Sequence, residues 1–384
     1  MHTITFIAGV LLILATLLDG FETVLLPRRI NHRFRYSRLY YRNSWRLWRA
    51  VAARIPAGRW REAMLSVFGP LSLLGLFGSW IVSLILGFTL LQWSIASLIP
   101  SGQQTSAHST FDTYLYFSGT TYFTLGLGDV IPSPGLSRAL TVTESGLGFG
   151  FLAIIISYLP VLYQAFSRRE LTISLLDARA GSPPTGGEFL RRLARDNQID
   201  VDNASLREWE RWCAELLESH LSFPVLAFYR SQHANQSWLA AVASMLDSCA
   251  MLLTLLPRAE SHQARLTFAV ARHAVVDIAL IFGIRPPQTQ QDRLPPQATA
   301  QFHQMLQQIG KQPADIPQIE SRLSELRALY EPFLQALARH FVLVLPPVIT
   351  ADRIDDNWQR SAWMPRTPGL GNLSSGKSGG DHFD

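Results

Sequence analysis

Apolar positions along this chain follow two different rules. Up to about residue 170 they come in long blocks, and beyond it they recur at helical intervals among charged residues. The first block, Ile4 to Leu26, carries no charge before Asp19 and Glu22. The second, Ser66 to Leu98, carries none at all. A third spans Leu136 to Phe166, with Arg168 and Arg169 just past it. A helix crosses a bilayer with about 20 apolar residues, so each block predicts a membrane span. The second is longer than a span needs, which predicts tilt or an interfacial start before Pro70. Between the second and third blocks lies a polar stretch, Pro100 to Thr110. A short amphipathic run follows, Phe111 to Phe123, too short to cross.

The charge pattern orients these elements. The stretch from Pro27 to Glu62 is rich in Arg, and its only acid is Glu62. Basic residues beside apolar spans mark the cytoplasmic side. The flank after the third block is basic too. The three spans then run out-in, in-out and out-in, with the short run dipping in from outside. The first block is read as a retained span rather than a signal peptide, because its positive flank follows the apolar run instead of preceding it. Trp45, Trp48, Tyr36, Tyr40 and Tyr41 interleave with the arginines, which suits an amphipathic segment at headgroup level. Anionic lipid is the expected partner of this stretch. Nucleic acid is not, since no recognised nucleic-acid fold motif accompanies the charge. Asp19 and Glu22 are expected to pair with the arginines.

Composition agrees with a membrane chain that carries a soluble part. Of 384 residues, 16% are charged, against roughly 25% in typical soluble domains. The two cysteines, Cys213 and Cys249, have no zinc-like spacing and read as buried thiols. No HExxH is present, and the strings that fit G-x-x-x-x-G-K-[ST] (Gly371 to Ser378) and G-x-S-x-G (Gly376 to Gly380) fall in the Gly/Ser-rich tail, whose composition predicts disorder rather than a strand-to-helix turn, so no enzyme is expected.

The chemistry concentrates after Phe123. Thr124-Leu125-Gly126-Leu127-Gly128-Asp129 places Gly at alternate positions behind a short helix. Glycine accepts backbone angles that turn successive carbonyls to one side. Such carbonyls can replace the hydration shell of a cation on a narrow axis. The C-terminal end of the short helix adds partial negative charge nearby. With these residues the chain resembles the two-transmembrane pore-loop potassium channel family, whose signature is TVGYGD. It matches at Thr124, Gly126, Gly128 and Asp129, and Pro132 and Arg138 fall where many bacterial members carry Pro and Arg. The resemblance covers roughly Pro70 to Phe166. It departs at Leu125 for Val, at Leu127 for Tyr and at Phe123 for Thr. Leu127 lacks the hydroxyl with which Tyr braces the filter.

The resemblance implies an all-α membrane protein: a homotetrameric pore-loop channel, here with an extra N-terminal transmembrane helix and a helical cytoplasmic domain. Potassium would be held by the backbone carbonyls of Thr124, Leu125, Gly126 and Leu127 and by the Thr hydroxyl, with no other cofactor. Asp129 would ring the outer mouth. Glu144, costly inside a membrane helix, is expected to meet the pore helix at Thr120 or Thr121. Gly146, Gly148 and Gly150 suit either close packing or bending, and Gly148 lies where the family places its hinge. Leu152 and Ile156 would line the cavity or gate, and Pro160 would kink the helix at the inner mouth. The expected organisation is a first span over 1–27, an Arg-rich loop over 28–65, and a pore domain over 66–169. A cytoplasmic regulatory domain over 170–367 and a disordered tail over 368–384 follow. Ser182 to Gly187 reads as a linker. Asp247, and Arg272 with Asp277, make the apolar runs Trp238 to Leu256 and Leu266 to Ile284 buried helices of a soluble bundle rather than spans. The expected place is a bacterial inner membrane, N-terminus outside. A non-selective cation channel and a scaffold with a non-conducting pore are the alternatives.

Overall fold

A computed structural model describes residues 2–24, 26, 35–96, 98–100, 110–195, 198–199, 203–232, 235–286, 292–294, 296–308 and 316–350. The expected tail and residues 28–34 of the Arg-rich stretch lie outside the described residues. The chain divides into two compact units, Met1–Gln164 and Ala165–Asp384.

In the first unit, α1 (His2–Val24) packs along α3 (Arg59–Ser94). Their backbones come close at Gly9 and Gly87, where a side chain on Gly9 would strike the Gly87 carbonyl. Helix α3 has 36 residues, a length of about 54 Å at 1.5 Å per residue, so it overshoots a hydrocarbon core of about 30 Å. Between them stands α2 (Tyr36–Ala52). The Arg-rich stretch is therefore largely helical rather than a loop. Trp45 and Trp48 pack on Phe68 of α3, with ring centroids 4.8 and 5.8 Å apart, and the Trp48 indole donates to the Met64 carbonyl.

Asp19 is buried, and among the described residues its partners are not arginines. It accepts from the Ser37 backbone N–H (3.1 Å), the Ser37 hydroxyl (3.0 Å) and the Trp80 indole (2.9 Å). Ser37 opens α2, where unpaired amides and the helix dipole favour a carboxylate. Glu22 does pair with Arg35, at 3.4 Å.

Two short segments complete this unit's frame. β1 (Leu98–Pro100) pairs antiparallel with β2 (Val130–Pro132), Ile99 opposite Ile131. The pairing ties the end of α3 to the stretch beyond Asp129. α4 (Phe111–Tyr122) lies between, and α5 (Leu136–Ala180) follows and continues into the second unit.

The second unit is a helical bundle. After α6 (Gly186–Leu193), the two-residue strands β3 (Ala194–Arg195) and β4 (Gln198–Ile199) pair with each other. α7 (Asn203–Ser222), α8 (Trp238–Leu255) and α9 (His262–Ile281) come next, then α10 (Pro296–Gln308), α11 (Ile316–Ala328) and α12 (Glu331–Phe341). α8 is surrounded by α6, α9, α11 and α12. Its fully buried Asp247 is held by the two terminal Arg293 guanidinium nitrogens, at 3.0 and 3.1 Å, and by the Tyr330 hydroxyl at 2.7 Å. Arg293 also donates to Glu331 at 2.7 Å. Burial pushes the Asp247 carboxyl above its usual range, against the pull of Arg293 and Arg327. Asp277 lies 3.6 Å from His273.

The Ser182 to Gly187 stretch is not a linker. Pro184 to Gly187 are buried, the Gly187 N–H donates to the Val348 carbonyl, and a side chain on Gly186 would collide with Asp247. Pro and Gly here serve a tight, packed turn, which composition alone does not distinguish from a flexible one.

Candidate ion pathway

The short helix α4 is positioned by its periodic apolar face. Tyr114, Phe117, Ser118 and Tyr122 are its buried residues. Tyr114 and Phe117 form a core with Trp93 of α3 and Val130 of β2, and Trp93 also stacks edge-on to Phe111 at 5.3 Å.

Helix α4 ends by a definite device. The Leu125 N–H reaches back to the Thr120 carbonyl (2.8 Å) and the Thr124 N–H to the Thr121 carbonyl (3.0 Å). These paired 6→1 and 5→2 bonds are the Schellman arrangement, which requires a left-handed residue and usually takes Gly. Here Thr124 occupies it at φ +56°. A β-branched residue there is an outlier that costs on the order of 1–3 kcal/mol, of a kind concentrated at functional sites. Gly126 (φ +59°) and Gly128 (φ +78°) follow. Left-handed backbone thus recurs at 124, 126 and 128. Residues 123–129 are all exposed within one chain, Leu125 at 61% and Leu127 at 63%.

Asp129 closes the segment. Its carboxylate accepts from the Val130 N–H at 3.1 Å, and the Tyr116 hydroxyl of α4 hydrogen-bonds to it. Tyr116 is a support that the sequence reading did not single out.

Glu144 of α5 is fully buried and faces α4, but its partner is Ser118 rather than Thr120 or Thr121. The Thr120 hydroxyl bonds within α4 to the Phe117 carbonyl at 2.9 Å. Helical spacing explains the correction: the buried face of α4 runs through Ser118 and Tyr122, and Thr120 and Thr121 fall beside it. The Ser118 hydroxyl also lies 2.9 Å from the Ile85 carbonyl of α3. One serine therefore joins three helices behind the candidate filter. A second polar bridge lies between α3 and α5: the Ser137 hydroxyl donates to Gln92 (3.1 Å), which donates to Thr141 (3.3 Å).

Along α5, Gly148 lies against the end of α4. A Cβ there would sit 2.2 Å from the Tyr122 carbonyl, whereas Gly146 and Gly150 face open space within the chain. Leu152 is half-buried, Ile156 is 69% exposed and Pro160 is exposed. Helix α5 is continuous through Gly148 and Pro160. Pro160 has no N–H to offer the Ile156 carbonyl one turn back.

Comparison with known proteins bears on this segment. Residues 76–164 match the family described as Ion channel. The chain is also 29% identical over 181 residues to an uncharacterized membrane protein, YdjJ, of Bacillus subtilis (strain 168). That alignment covers 47% of this chain and 52% of the relative, so the chain spans about half the length of the curated relative it matches. No solved structure matches.

Proposed function

We propose, from the match of residues 76–164 to the family described as Ion channel, that this membrane protein is a homotetrameric potassium channel of the two-transmembrane pore-loop kind, with Thr124 to Asp129 as its filter. The observation that carries the reading is the left-handed backbone at Thr124, Gly126 and Gly128, directly beyond the end of α4. Alternation of this kind turns carbonyls toward one side, where they stand in for water around a dehydrated cation. The exposure of residues 123–129 in one chain is what a pathway assembled from several copies leaves open in each. Four copies about an axis close carbonyl rings at Thr124, Leu125, Gly126 and Leu127, and Asp129 collects cations above them. The partial negative end of α4 faces the same axis. Below, Leu152 and Ile156 form the apolar gate, with bending at Gly148 and Pro160.

Conduction is passive, without enzymatic turnover, and the unit from Ala165 onward regulates it. On this reading the basic flank at Arg168 and Arg169 lies with that unit in the cytoplasm, the N-terminus lies outside, and the membrane is a bacterial inner one. Recording from purified protein in a planar bilayer, potassium on one side and sodium on the other, tests the reading. The current should reverse near the potassium potential and vanish in Gly126→Ala, because a methyl group disfavours φ +59°. A second reading is favoured by Leu127, whose side chain is exposed and offers no hydrogen bond to brace the filter. Reversal near zero, still lost in Gly126→Ala, selects that non-selective cation channel. Persistent silence, with every cellular phenotype surviving Gly126→Ala, selects the non-conducting scaffold.

A further inference from the structure

Helix α2 has three faces, and the fold uses one. Ser37, Trp45 and Ala52 are its buried residues, and with Trp48 they look toward α1 and α3. The other two faces are exposed. At about 100° per residue, Arg38, Arg42, Arg46 and Arg49 fall within roughly 80° of one another. All four are exposed, and among the described residues no carboxylate forms an ion pair with them. Beside this stripe runs an apolar one: Tyr36 (45% exposed), Leu39 (46%), Leu47 (71%) and Val51 (39%). Trp60, 85% exposed, stands between Arg59 and Arg61 at the start of α3.

A soluble surface has no use for a cationic stripe adjoining an apolar one. A bilayer surface does: the apolar side chains enter the acyl boundary while guanidinium groups meet phosphates at headgroup level. Guanidinium suits this task because its planar donors engage phosphate oxygens in pairs. Position supplies the rest. The third face of α2 is fixed to the membrane-spanning helices, at Met64 and Phe68 of α3 and at Asp19 of α1. We propose that α2 is an in-plane anchor that docks onto an anionic phospholipid leaflet, with the Arg38/Arg42/Arg46/Arg49 stripe binding headgroup phosphates and the Tyr36/Leu39/Leu47/Val51 stripe entering the leaflet.

The inference rests on the membrane insertion of α1 and α3 and not on conduction. A silent protein with α2 buried in lipid leaves it standing, and a conducting one with α2 in water overturns it. The test uses the full chain with Leu47→Cys carrying an environment-sensitive fluorophore. Cys213 and Cys249 are fully buried and stay unlabelled in the native protein. In vesicles containing phosphatidylglycerol the emission should shift to the blue and be quenched by brominated lipid. In phosphatidylcholine alone both effects should be weaker. Native mass spectrometry of the Arg42→Gln/Arg46→Gln protein should show at least a tenfold loss of preference for phosphatidylglycerol over phosphatidylcholine. A water-like emission in both vesicles overturns the proposal. So does a blue emission that bromolipid leaves unquenched, which assigns the apolar stripe to a second copy of the chain. An unchanged lipid preference in the double variant overturns the role of the arginines.

Discussion

Helices α1 and α8 each hold an 18-residue stretch apolar enough to cross a membrane, and they are used in opposite ways. The chain buries 28% of that stretch in α1 and 94% in α8. On α1, Ile4, Ile7, Leu11, Leu14, Leu18 and Phe21 form an exposed stripe at heptad spacing. On α8 a sheath of other helices does the covering, down to a carboxylate at Asp247. The contrast teaches that apolarity sets only the demand for a non-aqueous neighbour. Whether lipid or protein meets that demand depends on what else the chain can bring, and α8 is served by a guanidinium, a tyrosine and four helices.

The largest expected effect comes from uncovering the charge inside α8. Arg293→Ala leaves Asp247 buried without its cation, and removing one partner of a buried pair costs about 3–5 kcal/mol. The urea concentration at which Cys213 and Cys249 become reactive should fall steeply. Replacing both partners by apolar residues, Asp247→Leu with Arg293→Met, should recover most of the loss.

Next in size is a direct exchange of one methylene-rich side chain in each helix. Leu246→Ala in α8 opens a cavity and should cost about 2–5 kcal/mol on the same thiol readout. Leu11→Ala on the exposed stripe of α1 should stay within about 0.5 kcal/mol, as surface changes do. Equal costs would mean that α1 is covered by protein after all.

The mildest test is acid. Burial, with Arg169 nearby, holds the His220 imidazole down to about 3, while an unfolded histidine titrates near 6.5. Between those values the unfolded chain binds a proton that the folded one refuses. Stability from this source is therefore whole above pH ~6.5 and declines as the pH falls toward 3. Urea midpoints of the second unit should drop from pH 7 to pH 5, measured with a disulfide reagent that reads thiols in acid. His220→Leu should flatten that slope.

What could be read in the sequence was what is local. The starts of α4, α5 and α8 at Phe111, Leu136 and Trp238 follow from runs of side chains with helical period. The alternation of Gly126 and Gly128 follows from chemistry confined to a few residues. Partners brought from afar were illegible. Asp19 meets Trp80, 61 positions away, and no pattern near either residue announces the other. Sequence does not separate Ser118 from Thr120 and Thr121, because all three are hydroxyls within one turn, and only the packing of α4 on α3 decides which one points inward. The left-handed Thr124 was hidden for a related reason: nothing in a threonine advertises a conformation that the surrounding hydrogen bonds impose.

The Asp19 carboxylate has one more consequence. It fastens the opening of α2 to helices on either side of it in sequence, so it governs the direction in which the arginine stripe is aimed without belonging to that stripe. Cationic charge and the bearing of that charge are thus stored in different residues. A change at Asp19 would leave all four guanidinium groups in place and yet loosen the end of the helix that aims them, as a compass keeps its needle after its pivot is bent.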